Sequence, residues 1–119
     1  MVIPRSYQET LQGEFGSIEA ALDGVDPEWK QRDLVIFPSH ISPSDCSEMI
    51  RLAHRYGFDA VALPFLLSPT ELPKLSNCLA LPWNVRWTIS NDRRSKPEGQ
   101  IEALGHDLWS WIAAAIENR

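Results

Sequence analysis

The stretch DLVIFPSHISPSDCSEMIRLAHRYGFDAVALPF, residues 33–65, decides the fold that this sequence predicts. Two solid apolar runs, at 34–37 and 60–65, stand on either side of an amphipathic segment that predicts a helix over 43–56. Apolar runs of this length are typical of strands that are buried on both faces, as in parallel sheets. The stretch therefore predicts a β-α-β unit, and ligand sites in such units lie in the loops at the carboxyl ends of the strands.

The rest of the chain predicts three further elements around this unit. Apolar residues recur at helical spacing over 7–22 and over 98–117, so each of these segments predicts a helix. Apolar and polar residues alternate over 83–89, which is the period of a half-exposed strand, and we place this strand at an edge of the sheet. The predicted fold class is α/β, a small two-layer or three-layer sandwich with about three mostly parallel strands and flanking helices.

Length and composition are those of one compact domain spanning residues 1–119. Of the 119 residues, 44% are hydrophobic and 23% are charged, which is near the average for globular proteins. The apolar runs are far shorter than the roughly 20 residues that cross a bilayer. Residues 1–6 lack the charged start and apolar stretch of a secretory signal. We therefore expect a cytoplasmic protein that does not enter a membrane.

Two cysteines, Cys46 and Cys78, stand alone in the sequence. Neither belongs to a Cys-x-x-Cys pair, so no zinc site is predicted. In a cytoplasmic protein, isolated thiols are more often small buried side chains than disulfide partners. No metal ion and no cofactor is expected.

The formal net charge of −5 is unevenly distributed along the chain. Residues 1–33 contain seven acids and three bases, whereas residues 86–96 contain one acid and four bases. An acidic surface disfavours contact with phosphate backbones, so direct nucleic-acid binding is not favoured. A small acidic protein of the phage or plasmid type can instead act on a nucleic-acid-handling complex by imitating the charge of DNA.

The loop that contains Ser39 and His40 is a candidate ligand site, because it precedes the N-terminus of helix 43–56. Free N–H groups and partial positive charge at a helix N-terminus can bind a small anion or a phosphate group. Arg93 and Arg94, in the basic loop after the third strand, complete this site if the first and third strands are neighbours. No catalytic residue is assigned, since the chain has no nucleophile elbow, zinc-protease motif or phosphate loop. Turn and helix-cap roles for the loop are the simpler interpretation.

The second candidate is a partner-binding surface, indicated by a surplus of tryptophan. Trp109 and Trp111 are about 200° apart on one helix, so one of the two should be partly exposed. Exposed tryptophan is typical of binding hot spots. The residues expected to contact a partner lie on the last helix, on the basic strand and loop before it, and on the acidic first helix: Trp109, Trp111, Arg86, Arg93, Arg94, Glu14 and Glu19.

The segment FPSHISPSD, residues 37–45, resembles the first strand and loop of Toll/interleukin-1 receptor domains. The resemblance does not extend to the other conserved boxes of that family or to its glutamate, so no activity is inferred from it. The sequence instead favours a small acidic interaction protein that binds a larger protein partner stoichiometrically, as an adaptor or inhibitor. A second copy of the chain, bound through the C-terminal helix, is a further partner to consider. The alternative function is an enzyme-like domain that binds a small anion or phosphate ligand in the loops after strands 1 and 3.

Overall fold

The chain is mainly helical in the computed structural model, which describes residues 1–64, 69–87 and 97–117. In these ranges the elements are helices α1 (Tyr7–Phe15), α2 (Ile18–Val25), α3 (Pro43–Arg55), α4 (Leu72–Leu79) and α5 (Pro97–Glu117), strands β1 (Val61–Ala62) and β2 (Val85–Arg86), and two 3₁₀ turns, Trp29–Gln31 and Pro69–Glu71. No helix within the described ranges combines the length and apolar character that a bilayer crossing requires.

The predicted three-stranded sandwich is wrong. Of the strand predicted over 60–65 only β1 forms, and of the strand predicted over 83–89 only β2 forms, while residues 65, 88 and 89 lie outside the described ranges. The two short strands pair in parallel, with Val61 opposite Val85. A run of apolar residues indicates that the segment is buried, but not that it pairs with other strands. Here the apolar side chains can be buried against helices, so long hydrogen-bonded strands do not form.

The run at 34–37 is also not a strand of a sheet. Its Ile36 makes a single parallel bridge to Val2 near the start of the chain. The Ile3 amide donates to the Ile36 carbonyl at 3.0 Å, and the Ile36 amide donates to the Met1 carbonyl at 2.9 Å. The backbone partners of Ile36, and of the Leu34 carbonyl, are therefore residues 1–3, which carry no strand pattern of their own.

The helix predicted over 7–22 is divided into α1 and α2 at Gly16. Gly16 has a left-handed φ of 76°, and its amide donates to the Gln12 carbonyl, which ends α1. The Ser17 hydroxyl then accepts a hydrogen bond from the Ala20 amide at 3.2 Å and starts α2. Glycine followed by serine is thus a stop signal and a start signal in succession. The helices predicted over 43–56 and 98–117 are observed within one residue of those bounds, as α3 and α5.

The hydrophobic core lies between the N-terminal segment, α1, α2, the first 3₁₀ turn and α3. Trp29 is 2% exposed and is held on two sides by aromatic rings, edge-on by Tyr56 at 5.3 Å and stacked by Phe58 at 6.0 Å. Its indole N–H donates to Asp23 Oδ1 at 2.8 Å, so burial leaves this donor satisfied. The other buried members of this core are Ile3, Tyr7, Ile18, Ala21, Leu22 and Leu52.

Candidate functional site

The Ser39-His40 loop is tied to α1 by the side chain of Gln8. Gln8 Nε2 donates to Ser39 Oγ and to Asp45 Oδ2, each at 2.9 Å. Gln8 Oε1 accepts from the His40 amide at 2.9 Å. One amide side chain thus holds the loop and the first turn of α3 against α1, a contact that no local sequence pattern could indicate.

Ser39 and His40 do not form a nucleophile and base pair. The Ser39 hydroxyl donates to the His40 carbonyl at 2.8 Å, and the His40 ring lies against α1, with Nε2 3.2 Å from Glu9 Oε1. The hydrogen bond with His40 is the main cause that lowers the pKa of the Glu9 carboxyl. An anion that approached the N-terminus of α3 would therefore meet the carboxylates of Glu9 and Asp45.

The basic half of the ligand site cannot be placed against the loop. Arg93 and Arg94 lie outside the described residues. The small-anion alternative therefore stays a prediction. The contacts of Ser39 and His40 give both residues a structural role beside α1.

Arg86 lies on β2 and caps the end of α4. Its Nε donates to the Leu79 carbonyl and its Nη2 donates to the Leu81 carbonyl, both at 2.6 Å. Carbonyls at a helix C-terminus have no partner within the helix, and an arginine is well suited to them. Arg86 is exposed, so it can still face a partner, but two of its donors are already in use.

The acidic residues predicted on the first helix fall on different elements. Glu14 is exposed on α1. Glu19 is half-buried on α2, where its Oε1 accepts from the Tyr56 hydroxyl at 2.7 Å. Glu19 therefore joins α2 to α3, while Glu14 remains on the open surface.

The prediction that Trp109 and Trp111 point in different directions is confirmed. Trp109 is 69% exposed, the highest exposure among the large hydrophobic residues that the structure describes. Trp111 is half-buried, with its ring 6.2 Å from the ring of Trp87. Next to it, Ile112 is 6% exposed, so this side of α5 faces the rest of the protein.

An apolar face continues from Trp109 along α5. Ala113 and Ile116 follow at four and seven residues, which places all three along one side of the helix over two turns. Ile116 is 41% exposed and Ala113 is half-buried. We call Trp109, Ala113 and Ile116 the α5 apolar face. In the described part of the chain, Trp109 and Ile116 thus lie on the same side of α5, two turns apart, and both are exposed.

Cys46 lies in α3 and Cys78 in α4, and these helices pack against each other. Both thiols are buried and both are free. Burial, with the neighbouring Cys78 as a smaller cause, raises the pKa of Cys46 to about 11. The sequence could not indicate that the helices holding these two cysteines are neighbours.

No group of three or more histidine, cysteine or acidic side chains in the described part of the chain is arranged as metal ligands would be. No family model, no curated protein and no solved structure matches this chain. The short resemblance at 37–45 therefore remains a local one. The function has to be inferred from the contacts and exposures of the chain itself.

Proposed function

We propose that this protein binds a larger protein partner stoichiometrically through the α5 apolar face, as an adaptor or an inhibitor. The observation that supports this proposal is the 69% exposure of Trp109. Burying a tryptophan ring is strongly favourable in free energy, and an exposed ring can gain this stabilisation by entering an apolar pocket of a partner. Tryptophan is also among the residues that most often dominate the energy of an interface.

The partner that fits this face has an apolar groove with basic residues at its rim. Glu117 follows Ile116 at the end of α5 and is exposed. The whole chain carries a net charge of −5. Opposite charge at the rim speeds association and selects the partner, while the apolar centre supplies the affinity. Two copies of this chain would repel each other, so a second copy fits the charge less well. We keep the expected cytoplasmic setting as part of this proposal.

The test compares Trp109→Ala with a matched exposed position. Leu72 is 45% exposed on α4, a different helix, so Leu72→Ala removes an exposed apolar group that is not part of the α5 apolar face. Proteins captured by the immobilised chain are identified, purified and titrated by calorimetry against the native chain and both variants. We expect a 1:1 complex that Trp109→Ala weakens by at least about 30-fold, the size of a hot-spot loss. Leu72→Ala should change the dissociation constant less than about threefold.

Three results would contradict the proposal. One is a partner whose affinity is the same for the native chain and Trp109→Ala. Another is a partner that Leu72→Ala weakens as much as Trp109→Ala does, because the loss would then be a general effect of truncation. The third is a dimer of this chain in light scattering that Trp109→Ala dissociates, which would assign the α5 apolar face to a second copy.

A further inference from the structure

Two cationic side chains from different elements meet over the ring of Tyr56. Lys30 Nζ, from the first 3₁₀ turn, is 4.3 Å from the ring centroid, and the guanidinium carbon of Arg55, at the end of α3, is 5.4 Å from it. Lys30 Nζ also lies 5.7 Å from the ring centroid of Trp29. At such distances an aromatic ring attracts a cation. The half-buried Tyr56 ring thus holds two exposed cations beside each other.

Neither of these cations is neutralised within the part of the chain that the structure describes. Arg32 and Arg51 each bind a carboxylate of the chain, whereas Lys30 and Arg55 form no ion pair among the described residues. The chain as a whole has 16 acidic and 11 basic residues, so acids are the more numerous. Two unpaired bases at one ring are therefore a positively charged surface on an acidic protein.

The two charges are close enough to repel each other. Both distances are measured to the same centroid, so Lys30 Nζ and the Arg55 guanidinium carbon lie less than about 10 Å apart, which is about one screening length at 0.1 M salt. The acid that contacts Tyr56 is Glu19, and its carboxylate accepts from the tyrosine hydroxyl at 2.7 Å. An anion bound between Lys30 and Arg55 would replace their repulsion with two attractions.

We propose that Lys30 and Arg55 bind an acidic segment of a protein, with one carboxylate of the segment at each cation. Carboxylates one turn apart on a helix, or two residues apart on an extended chain, are separated by about 6–7 Å, so one segment can reach both cations. A nucleic-acid strand fits less well, because its continuous row of phosphates would be repelled by a chain with a net charge of −5. This surface shares no residue with the α5 apolar face, so it does not depend on the function proposed above.

The full chain is titrated with a hexaglutamate peptide at neutral pH and low salt, and NMR follows the indole N–H of Trp29 and the ring protons of Tyr56. We expect saturable shifts at both rings, which about 0.5 M sodium chloride abolishes because salt screens exposed charges. Lys30→Gln and Arg55→Gln should each raise the half-saturating peptide concentration about two- to fivefold, the effect of losing one exposed ion pair. Lys74→Gln is the matched control, because it removes one exposed positive charge from α4, and it should raise that concentration less than about 1.5-fold.

Four results would overturn the proposal. The Tyr56 ring protons of the native chain might be unmoved by hexaglutamate, or moved equally by hexaglutamine, which carries no charge. Lys74→Gln weakening the peptide as much as Lys30→Gln would mean that only the net charge matters. Tighter binding of inorganic phosphate or of a thymidine oligonucleotide would assign the surface to a small anion or to nucleic acid. If a variant does not fold, the salt dependence and the hexaglutamine comparison on the native chain still decide.

Discussion

Asn84 is expected to hold the strand pair in place, and replacing it with alanine should destabilise the whole domain. Its Oδ1 accepts from the Ala60 amide at 2.7 Å, and the ring nitrogen Nε2 of His54 lies 2.8 Å from the same oxygen. Its own amide donates to the Ala60 carbonyl at 2.8 Å. One side chain thus joins the end of α3 to the starts of both short strands.

The size of the effect follows from the burial of the two donors. Ala60 is 6% exposed, so its amide would lose an acceptor where water does not easily replace it, at a cost of about 1–3 kcal/mol. His54 is exposed, and its lost bond should cost no more than about 0.5 kcal/mol. We expect Asn84→Ala to lower the free energy of unfolding by about 1.5–3 kcal/mol, or the melting temperature by about 6–12 °C for a domain of this size.

Urea unfolding followed by circular dichroism measures this difference, with two variants as controls. Asn84→Asp keeps an oxygen acceptor for both donors and should stay within about 1 kcal/mol of the native chain. His54→Ala removes only the exposed bond and should cost less than about 1 kcal/mol. The reasoning is refuted if Asn84→Ala unfolds at the native urea concentration, or if Asn84→Asp is as unstable as Asn84→Ala.

Two further predictions concern the core and the surface charges. Leu52 is 1% exposed in the core, so Leu52→Ala should cost about 2–5 kcal/mol in urea unfolding, and a cost below about 1 kcal/mol would contradict its place there. The pKa of Asp26 is lowered, mainly by hydrogen bonds from Arg32. The ionised carboxylate therefore stabilises the fold at pH values above the ordinary aspartate pKa, and this stabilisation is lost as the pH falls through the lowered pKa of Asp26. Asp26→Asn should therefore be less stable than the native chain at pH 7 and approach it in strong acid, and a difference that grows on acidification would contradict this sign.

The elements that could be predicted are those whose signals are local. The helix α3 is such a case, since Ser42 caps its start and Gly57, with a φ of 84°, follows its end. The apolar run at 34–37 was wrongly predicted to be a strand of a sheet, because its backbone partner is the segment 1–3, which lies far away in the sequence. A short apolar run looks the same whether it lies in a sheet or extended on a helical core. Its partner has to be known before the two can be distinguished.

In the candidate site, too, the features with local signals could be predicted and those that depend on distant residues could not. The exposure of Trp109 against Trp111 could be predicted, because the angle between two residues on one helix is a local property. The Gln8 contacts with the Ser39-His40 loop could not be predicted, and neither could the packing of α3, which holds Cys46, against α4, which holds Cys78. Both depend on which helices pack together, and no residue pattern within one helix contains that information.

The contacts that join the N-terminal helices to the region 34–56 have a consequence for how the chain folds. Gln8 and His40 are 32 residues apart, Gln8 and Asp45 are 37 apart, and Glu19 and Tyr56 are also 37 apart. Most of the entropy cost of loop closure arises when the first of these contacts forms, because each later contact closes only a short additional loop. The two regions should therefore come together in one cooperative step. Residues inserted after the exposed Asp33, which lengthen all these loops at once, should slow folding while leaving the unfolding rate nearly unchanged.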